Sequence, residues 1–180
     1  IGGLCDAYLL TGNRRALDIA RLAADRVASE GGRYSDHLRD IGWPLNLLMT
    51  AWETTGEDKY LVAARRHWQM LQKHLSPQRG WVAMLAYGHC TMQNPGKRCR
   101  GQNSYLLALT LSSLARYHQA TGDPAVLQAI SAGLNQMIRE CWDERSKAFW
   151  ATACTHLRDG GRQGNSYSTV LLASLAFAHE

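Results

Sequence analysis

Seven residues near the middle of the first third of the chain hold a carboxylate, an imidazole, a guanidinium and an indole: His37, Arg39, Asp40 and Trp43. Asp40 can act as a general acid or base. Arg39 can hold a carboxylate in a two-bond fork, and Trp43 offers a flat apolar face for stacking. A second group is Tyr87-Gly88-His89, with Arg100 and Tyr105 downstream. A tyrosine or histidine base beside an arginine that neutralises a carboxylate suits proton abstraction next to that carboxylate. A third group, Arg162 with Tyr167, echoes Arg100 with Tyr105: Arg-Gly-Gln-Asn-Ser-Tyr at 100–105 returns as Arg-Gln-Gly-Asn-Ser-Tyr at 162–167. His37, Asp40, Tyr87 and His89 are the candidate catalytic groups. Arg39, Trp43, Arg100, Tyr105, Arg162 and Tyr167 are the candidate substrate-binding groups. Each has a plainer alternative. Asp40 can cap a helix, Trp43 can be core, His89 can be an ordinary loop histidine, and Asn103 and Asn165 can be N-caps.

The elements that must position these groups are read from another repeat. Thr11-Gly12, Thr55-Gly56 and Thr121-Gly122 each follow an aromatic by a few residues and precede a leucine by five. Each reads as the joint of an αα-hairpin: one helix ends, glycine takes the left-handed position that closes it, and a polar residue caps the next helix. Asp123-Pro124 is the clearest start, and Asn13 serves the first copy. Glu57 is a poor cap, with Asp58 as the alternative. Helical periodicity predicts helices over 1–11, 13–30, from Ile41-Gly42-Trp43-Pro44 to Thr55, 57–75, 102–121 and 124–141, with a seventh from Asn165. The odd-numbered helices are apolar on most sides and the even-numbered ones amphipathic. That alternation predicts two layers, with apolar inner helices feeding polar-faced outer ones. Between hairpins, Trp81–Tyr87 and Phe149–Ala153 read as short strands. The joints lie 44 and 66 residues apart, which excludes a 34-residue tetratricopeptide array.

Bulk properties set outer bounds. The chain has 180 residues, 46% of them hydrophobic, enough for one domain with a real core. The abrupt ends lead to the expectation that residues 1–180 are a single α/α-hairpin domain cut from a longer chain. Five cysteines without a CxxC pair predict mostly free thiols, with Cys90–Cys99 or Cys141–Cys154 as possible pairs. No ordered ligand set points to a metal, and no cofactor is expected. Net charge is +5, which favours anionic partners. That charge is spread over three loops without a nucleic-acid motif, so a nucleic-acid partner is not expected, and no apolar run reaches membrane-spanning length.

The joints "YLLTGNRRALDIA" and "TTGEDKYLVAA", and above all "RDIGWPLNLLMTAWETTGEDKYL", resemble the hairpin joints of the (α/α)6 toroids of carbohydrate-active enzymes. These are the six-hairpin glycosidases and the related toroidal polysaccharide lyases. The resemblance implies an all-α fold, a partial (α/α)6-type toroid with short β segments between hairpins. It also implies a cleft at one end of the inner helices, fed by the segments 33–43, 78–105 and 142–167. Asp40 would then serve glycosidic cleavage with a second carboxylate such as Asp143, Glu144 or Asp159, while the excess of arginine in these loops tilts towards a uronate-containing oligo- or polysaccharide. The same toroid hosts several chemistries, so a non-catalytic helical-repeat module that binds a protein is the alternative. Exposed inner-helix surface on a partial ring is also a possible homodimer face.

Overall fold

A computed structural model of the chain describes residues 1–30, 38–84 and 100–154. Six helices lie within them: α1 (Gly2–Thr11), α2 (Arg14–Ser29), α3 (Arg39–Thr55), α4 (Asp58–Lys73), α5 (Ser104–Thr121) and α6 (Pro124–Cys141). The predicted seventh helix, with Asn165, lies outside the described residues.

All three Thr-Gly joints are built alike. Gly12, Gly56 and Gly122 adopt φ of 71°, 69° and 67°, a region closed to most L side chains. Each glycine N–H donates to the carbonyl four residues back, on Tyr8, Trp52 and His118. The threonines do two jobs. Thr11, Thr55 and Thr121 donate from Oγ1 to the carbonyls of Ala7, Ala51 and Tyr117. The same oxygen accepts from the backbone N–H of Asn13, Glu57 and Asp123. One hydroxyl thus ties the end of the inner helix to the start of the outer one, which explains why the dipeptide recurs and not the glycine alone. Asn13 caps α2 through the Ala16 N–H, and Asp123 caps α6 through the Ala125 N–H, with Pro124 in the first turn. Glu57 stands at the N-cap of α4 without a side-chain cap bond, and Asp58 is the first helical residue.

Contacts divide the helices into two rows. The inner row is α1, α3 and α5; the outer row is α2, α4 and α6. Two ordered sets of contacts show that α3 runs parallel to α5, and α2 to α4. In the inner row Trp43 meets Tyr105 at one end, and Glu53 meets Arg116 at the other, with Nη2–Oε2 at 2.5 Å. In the outer row Arg21 pairs with Glu57, the Tyr60 hydroxyl donates to Asp25, and Arg66 donates to the Ala28 carbonyl. The core lies between the rows. Leu45, Leu48, Met49, Leu107, Leu111 and Leu114 of the inner helices are fully buried against Tyr60, Ala64, Leu71, Val126 and Met137 of the outer ones. Each such leucine contributes roughly 2 kcal/mol relative to exposure. Helix α1 differs: it is as apolar as its siblings, yet only Cys5 is buried, and Leu10 is 84% exposed.

The connections after α4 and α6 are small β hairpins. Leu75–Ser76 (β1) pairs with Gly80–Trp81 (β2). Ala83–Met84 is β3 and Arg100–Asn103 is β4, while Trp142–Asp143 (β5) pairs with Ala148–Phe149 (β6), and Thr152–Cys154 is β7. β3, β4 and β7 form an antiparallel sheet with β4 in the middle. Over the described residues each strand predicted from sequence is therefore two: the chain leaves one pairing at Val82 and at Trp150–Ala151 and enters another, while positions 85–87 of the first lie outside them. The predicted helix starts move for related reasons. Gln102 belongs to β4, because Asn103 is the cap that starts α5. Helix α3 begins at Arg39, not at Ile41, and Pro44 therefore sits in its second turn, where it has no N–H to offer the Asp40 carbonyl. Helix α4 stops at Lys73, because Leu75 joins β1.

The β1–β2 hairpin is fastened by a buried polar clamp. Gln136 of α6 accepts from the Trp81 N–H and donates to the Trp81 carbonyl, both at 2.8 Å. Gln102 donates to the same carbonyl at 3.1 Å, and the Trp81 indole donates to the Leu71 carbonyl at 3.0 Å. Glycine makes room for it: a Cβ on Gly133 would lie 2.9 Å from the Trp81 ring and one on Gly80 2.2 Å from Gln136 Oε1. Cys5 and Cys141 are buried free thiols, so the Cys141–Cys154 pair does not form. Burial pushes the Cys141 thiol up to about 12. The alternative pair Cys90–Cys99 lies outside the described residues.

Candidate functional site

The parallel inner helices α3 and α5 place their N-terminal ends at one rim, and the three-stranded sheet, whose β4 leads directly into α5, stands at the same rim. Tyr105 is fixed there from three sides. Asn103 Oδ1 accepts from the N–H groups of Tyr105 and Leu106. The Ser104 N–H donates to the Ala151 carbonyl at 3.0 Å, and β4 is held in register with Gly101 opposite Ala83 on one side and Cys154 on the other. The N-cap alternative for Asn103 is thus what it does.

On the neighbouring helix α3, Arg39, Asp40 and Trp43 share the face set by spacings of three and four residues. Arg39 is exposed and Asp40 half-buried. Trp43 is 45% exposed, so it is not a core residue. Its ring stands 6.2 Å from that of Tyr105, tilted by 58°. Asp40 does not cap α3 either. The N-cap is Leu38, without a side-chain cap bond, and Asp40 lies in the first turn, where its charge complements the helix dipole. Helices α3 and α5 approach closely beneath this pair: Gly42 packs on Thr110, and a Cβ there would lie 2.5 Å from Thr110 Oγ1.

The described structure therefore brings four of the predicted residues to one rim: Arg39, Asp40, Trp43 and Tyr105. Arg100 opens β4 at that rim, opposite Met84. His37, Tyr87, His89, Arg162 and Tyr167 lie outside the described residues, as do Asn165 and Asp159. Two of the suggested second carboxylates serve their own hairpin. Asp143 accepts from the N–H and Oγ of Ser146. Glu144 is bound by Lys147 and by the Trp142 indole, and these contacts lower its pKa. His118 holds its joint, with Nδ1 2.9 Å from the Asp123 carbonyl. Among the described residues, no cluster of three or more His, Cys, Asp or Glu side chains is placed to hold a metal ion. No described helix is long and apolar enough to cross a membrane.

Sequence reading missed His67. It is a buried histidine on the outer helix α4, and its Nδ1 has no hydrogen-bond partner among the described residues. Burial, with the nearby Arg66 charge, lowers its pKa. Its place at helical spacing with Tyr60, Ala63, Ala64 and Leu71 was a legible core signal, masked by its being a polar residue type.

No family model and no curated protein matches the chain. Solved structures do match in three dimensions. One is an inactive variant of the α-1,6-mannanase GH76A of Salegentibacter sp. HEL1_6 in complex with α-1,6-mannotriose. It has a TM-score of 0.70 and 15% identity, over 98% of this chain and 51% of that one. D-mannose isomerase gives a TM-score of 0.69 at 16% identity, over 98% and 52%. A GH76 α-mannanase of Bacteroides thetaiotaomicron gives 0.60 at 17% identity, over 79% and 38%. The chain thus spans about half the length of these proteins or less. The chain has the fold of a partial (α/α) toroid, the fold of the carbohydrate-active enzymes to which its joints bear a resemblance.

Proposed function

We propose that the chain forms part of a carbohydrate-active enzyme whose cleft opens at the N-terminal ends of α3 and α5. The observation that carries this reading is the half-exposed Trp43 ring beside Tyr105, on adjacent inner helices, with Arg39 and Asp40 on the same face of α3. Aromatic faces stack on the C–H face of a sugar ring. Asp40 is the acid or base for the glycosidic oxygen, and Arg39 positions the substrate. Two parallel helix N-termini add positive potential at the same rim. That potential favours an acidic sugar, a uronate-containing oligosaccharide, over a neutral one.

Calorimetric titration with α-1,6-mannotriose and with an oligogalacturonate tests both parts. Trp43→Ala is expected to weaken binding of whichever sugar binds by about tenfold or more, and Asp40→Asn to leave binding while lowering turnover by about a hundredfold or more. Binding unchanged in Trp43→Ala refutes the stacking wall. Preference for mannotriose refutes the acidic-sugar part alone.

A second reading is supported by Leu9 and Leu10 on α1 with Ile19 and Leu22 on α2, large apolar side chains left in solvent along one edge. In that reading the edge receives a protein partner, a second copy of the chain included. Sedimentation analysis of the chain and of Leu10→Glu separates the cases: self-association lost in the variant supports a homodimer, and a monomer at all concentrations excludes it.

A further inference from the structure

We infer that Gly42 and Thr110 are positioning residues for the aromatic pair at the rim, and that the missing Cβ at 42 sets the spacing of Trp43 and Tyr105. The inference rests on the proposed sugar-binding role of that pair and adds the device that holds it.

Gly42 immediately precedes Trp43, and Thr110 lies in α5 below Tyr105. Both are buried. A Cβ on Gly42 would stand 2.5 Å from Thr110 Oγ1, with Thr110 Cβ and Cα at 3.5 and 3.6 Å. An ordinary contact needs about 1 Å more. Thr110 cannot yield at little cost by rotating, because its Oγ1 donates to the Leu106 carbonyl at 2.8 Å inside the core. Swinging it away leaves a buried hydroxyl unpaired. One turn further along α5, Ser113 Oγ lies 3.5 Å from the Gly42 carbonyl while bonding the Leu109 carbonyl. The two helices are therefore seated on each other's small residues at the point from which Trp43 and Tyr105 project. Among the described residues, Gly80 packs on Gln136, and Gly133 of the outer helix α6 packs on Trp81 and on Leu111 of α5, whereas Gly42 sets one inner helix against another.

Any side chain at 42 must push α3 and α5 apart and open the 6.2 Å ring spacing. The prediction differs from that for a generic packing residue because removal of Oγ1 on the opposite helix restores the room. Thr110→Ala should rescue Gly42→Ala.

Two readouts test it on the chain: nuclear Overhauser contacts between the Trp43 indole and the Tyr105 ring, and calorimetric affinity for the oligosaccharide that the unaltered chain binds. Gly42→Ala is expected to weaken or abolish the ring contacts and lower affinity about fivefold. Gly42→Ala with Thr110→Ala is expected to return both to the unaltered values. A folded Gly42→Ala with undiminished ring contacts overturns the inference. If Gly42→Ala does not fold, the double variant decides: folded with ring contacts intact supports it, folded with them lost overturns it. Ring contacts that respond as expected in a chain that binds no sugar uphold the positioning inference and refute the proposed function.

Discussion

Replacing Gln136 by alanine is expected to cost far more than its place on an outer helix suggests. Its amide makes both backbone bonds of Trp81 at 2.8 Å and is 1% exposed. After truncation the Trp81 carbonyl still receives Gln102, but the Trp81 N–H loses its partner in the dry interior. A buried unpaired N–H costs about 1–3 kcal/mol, and the space left by the amide adds about 1 kcal/mol. The sum is roughly 3 kcal/mol, or about 6–12 °C in Tm for a chain of this size. Gln102→Ala is expected to cost only about 1 kcal/mol, since the Trp81 carbonyl keeps Gln136 and the Asn103 N–H that it releases is only half-buried. Removing both leaves the carbonyl bare, so the double variant should exceed the sum of the singles by about 1 kcal/mol. Urea denaturation of the four proteins followed by circular dichroism measures all three quantities. A Gln136→Ala loss below about 1 kcal/mol, or strict additivity, refutes the clamp.

Other perturbations probe the joints and the buried histidine. Thr121→Val keeps shape but removes the bond to the Tyr117 carbonyl and the acceptor for the Asp123 N–H; thermal melts should show a loss of about 1–2 kcal/mol. Asp123→Ala removes the α6 cap and the partner of the Trp68 indole, with an expected loss of about 2 kcal/mol. Because folding lowers the His67 pKa, the unfolded chain binds more protons below the ordinary histidine value of about 6.5. Stability contributed by neutral His67 is full above that pH and falls as pH drops through about 6.5 and below. His67→Phe should flatten this acid-side slope, measured by melts between pH 5 and 8, and an unchanged slope would place the titration elsewhere.

Much of this fold was legible because its signals are local. The Thr-Gly joint is decided within six residues by backbone conformation and two hydrogen bonds, and all three joints closed as read, with side-chain caps at Asn13 and Asp123 but from neither Glu57 nor Asp58. Alternating apolar and amphipathic helices predicted the two rows, because an apolar helix gains most by going inside, as α3 and α5 do, while α1 leaves most of its apolar surface exposed. Strand and helix starts were less legible. Trp81–Val82–Ala83 looks continuous in sequence, yet Trp81 pairs with Leu75 and Ala83 with Gly101, and pairing partners are set by tertiary arrangement. Helix capping stood as the plainer alternative for Asp40 because a carboxylate near a helix start often serves as a cap. The helix began earlier, at Arg39, with Leu38 at the N-cap.

The sequence by itself determined the helices, their joints, their sorting into inner and outer layers, and a short list of groups able to do chemistry. The tertiary structure decided which of those groups meet. Residues 43 and 105 lie 62 positions apart, and nothing local pairs an indole with a phenol at that distance. They meet because α3 and α5 run parallel in register, seated on Gly42 and Thr110, so that helix starts from separate hairpins share one rim. The same arrangement decided that Trp43 is surface and Trp81 is core, although both are tryptophans beside glycines. One projects beyond the contact between two inner helices. The other is enclosed by Gln136, Gly133 and Leu71, and that enclosure comes from long-range packing that no local pattern encodes.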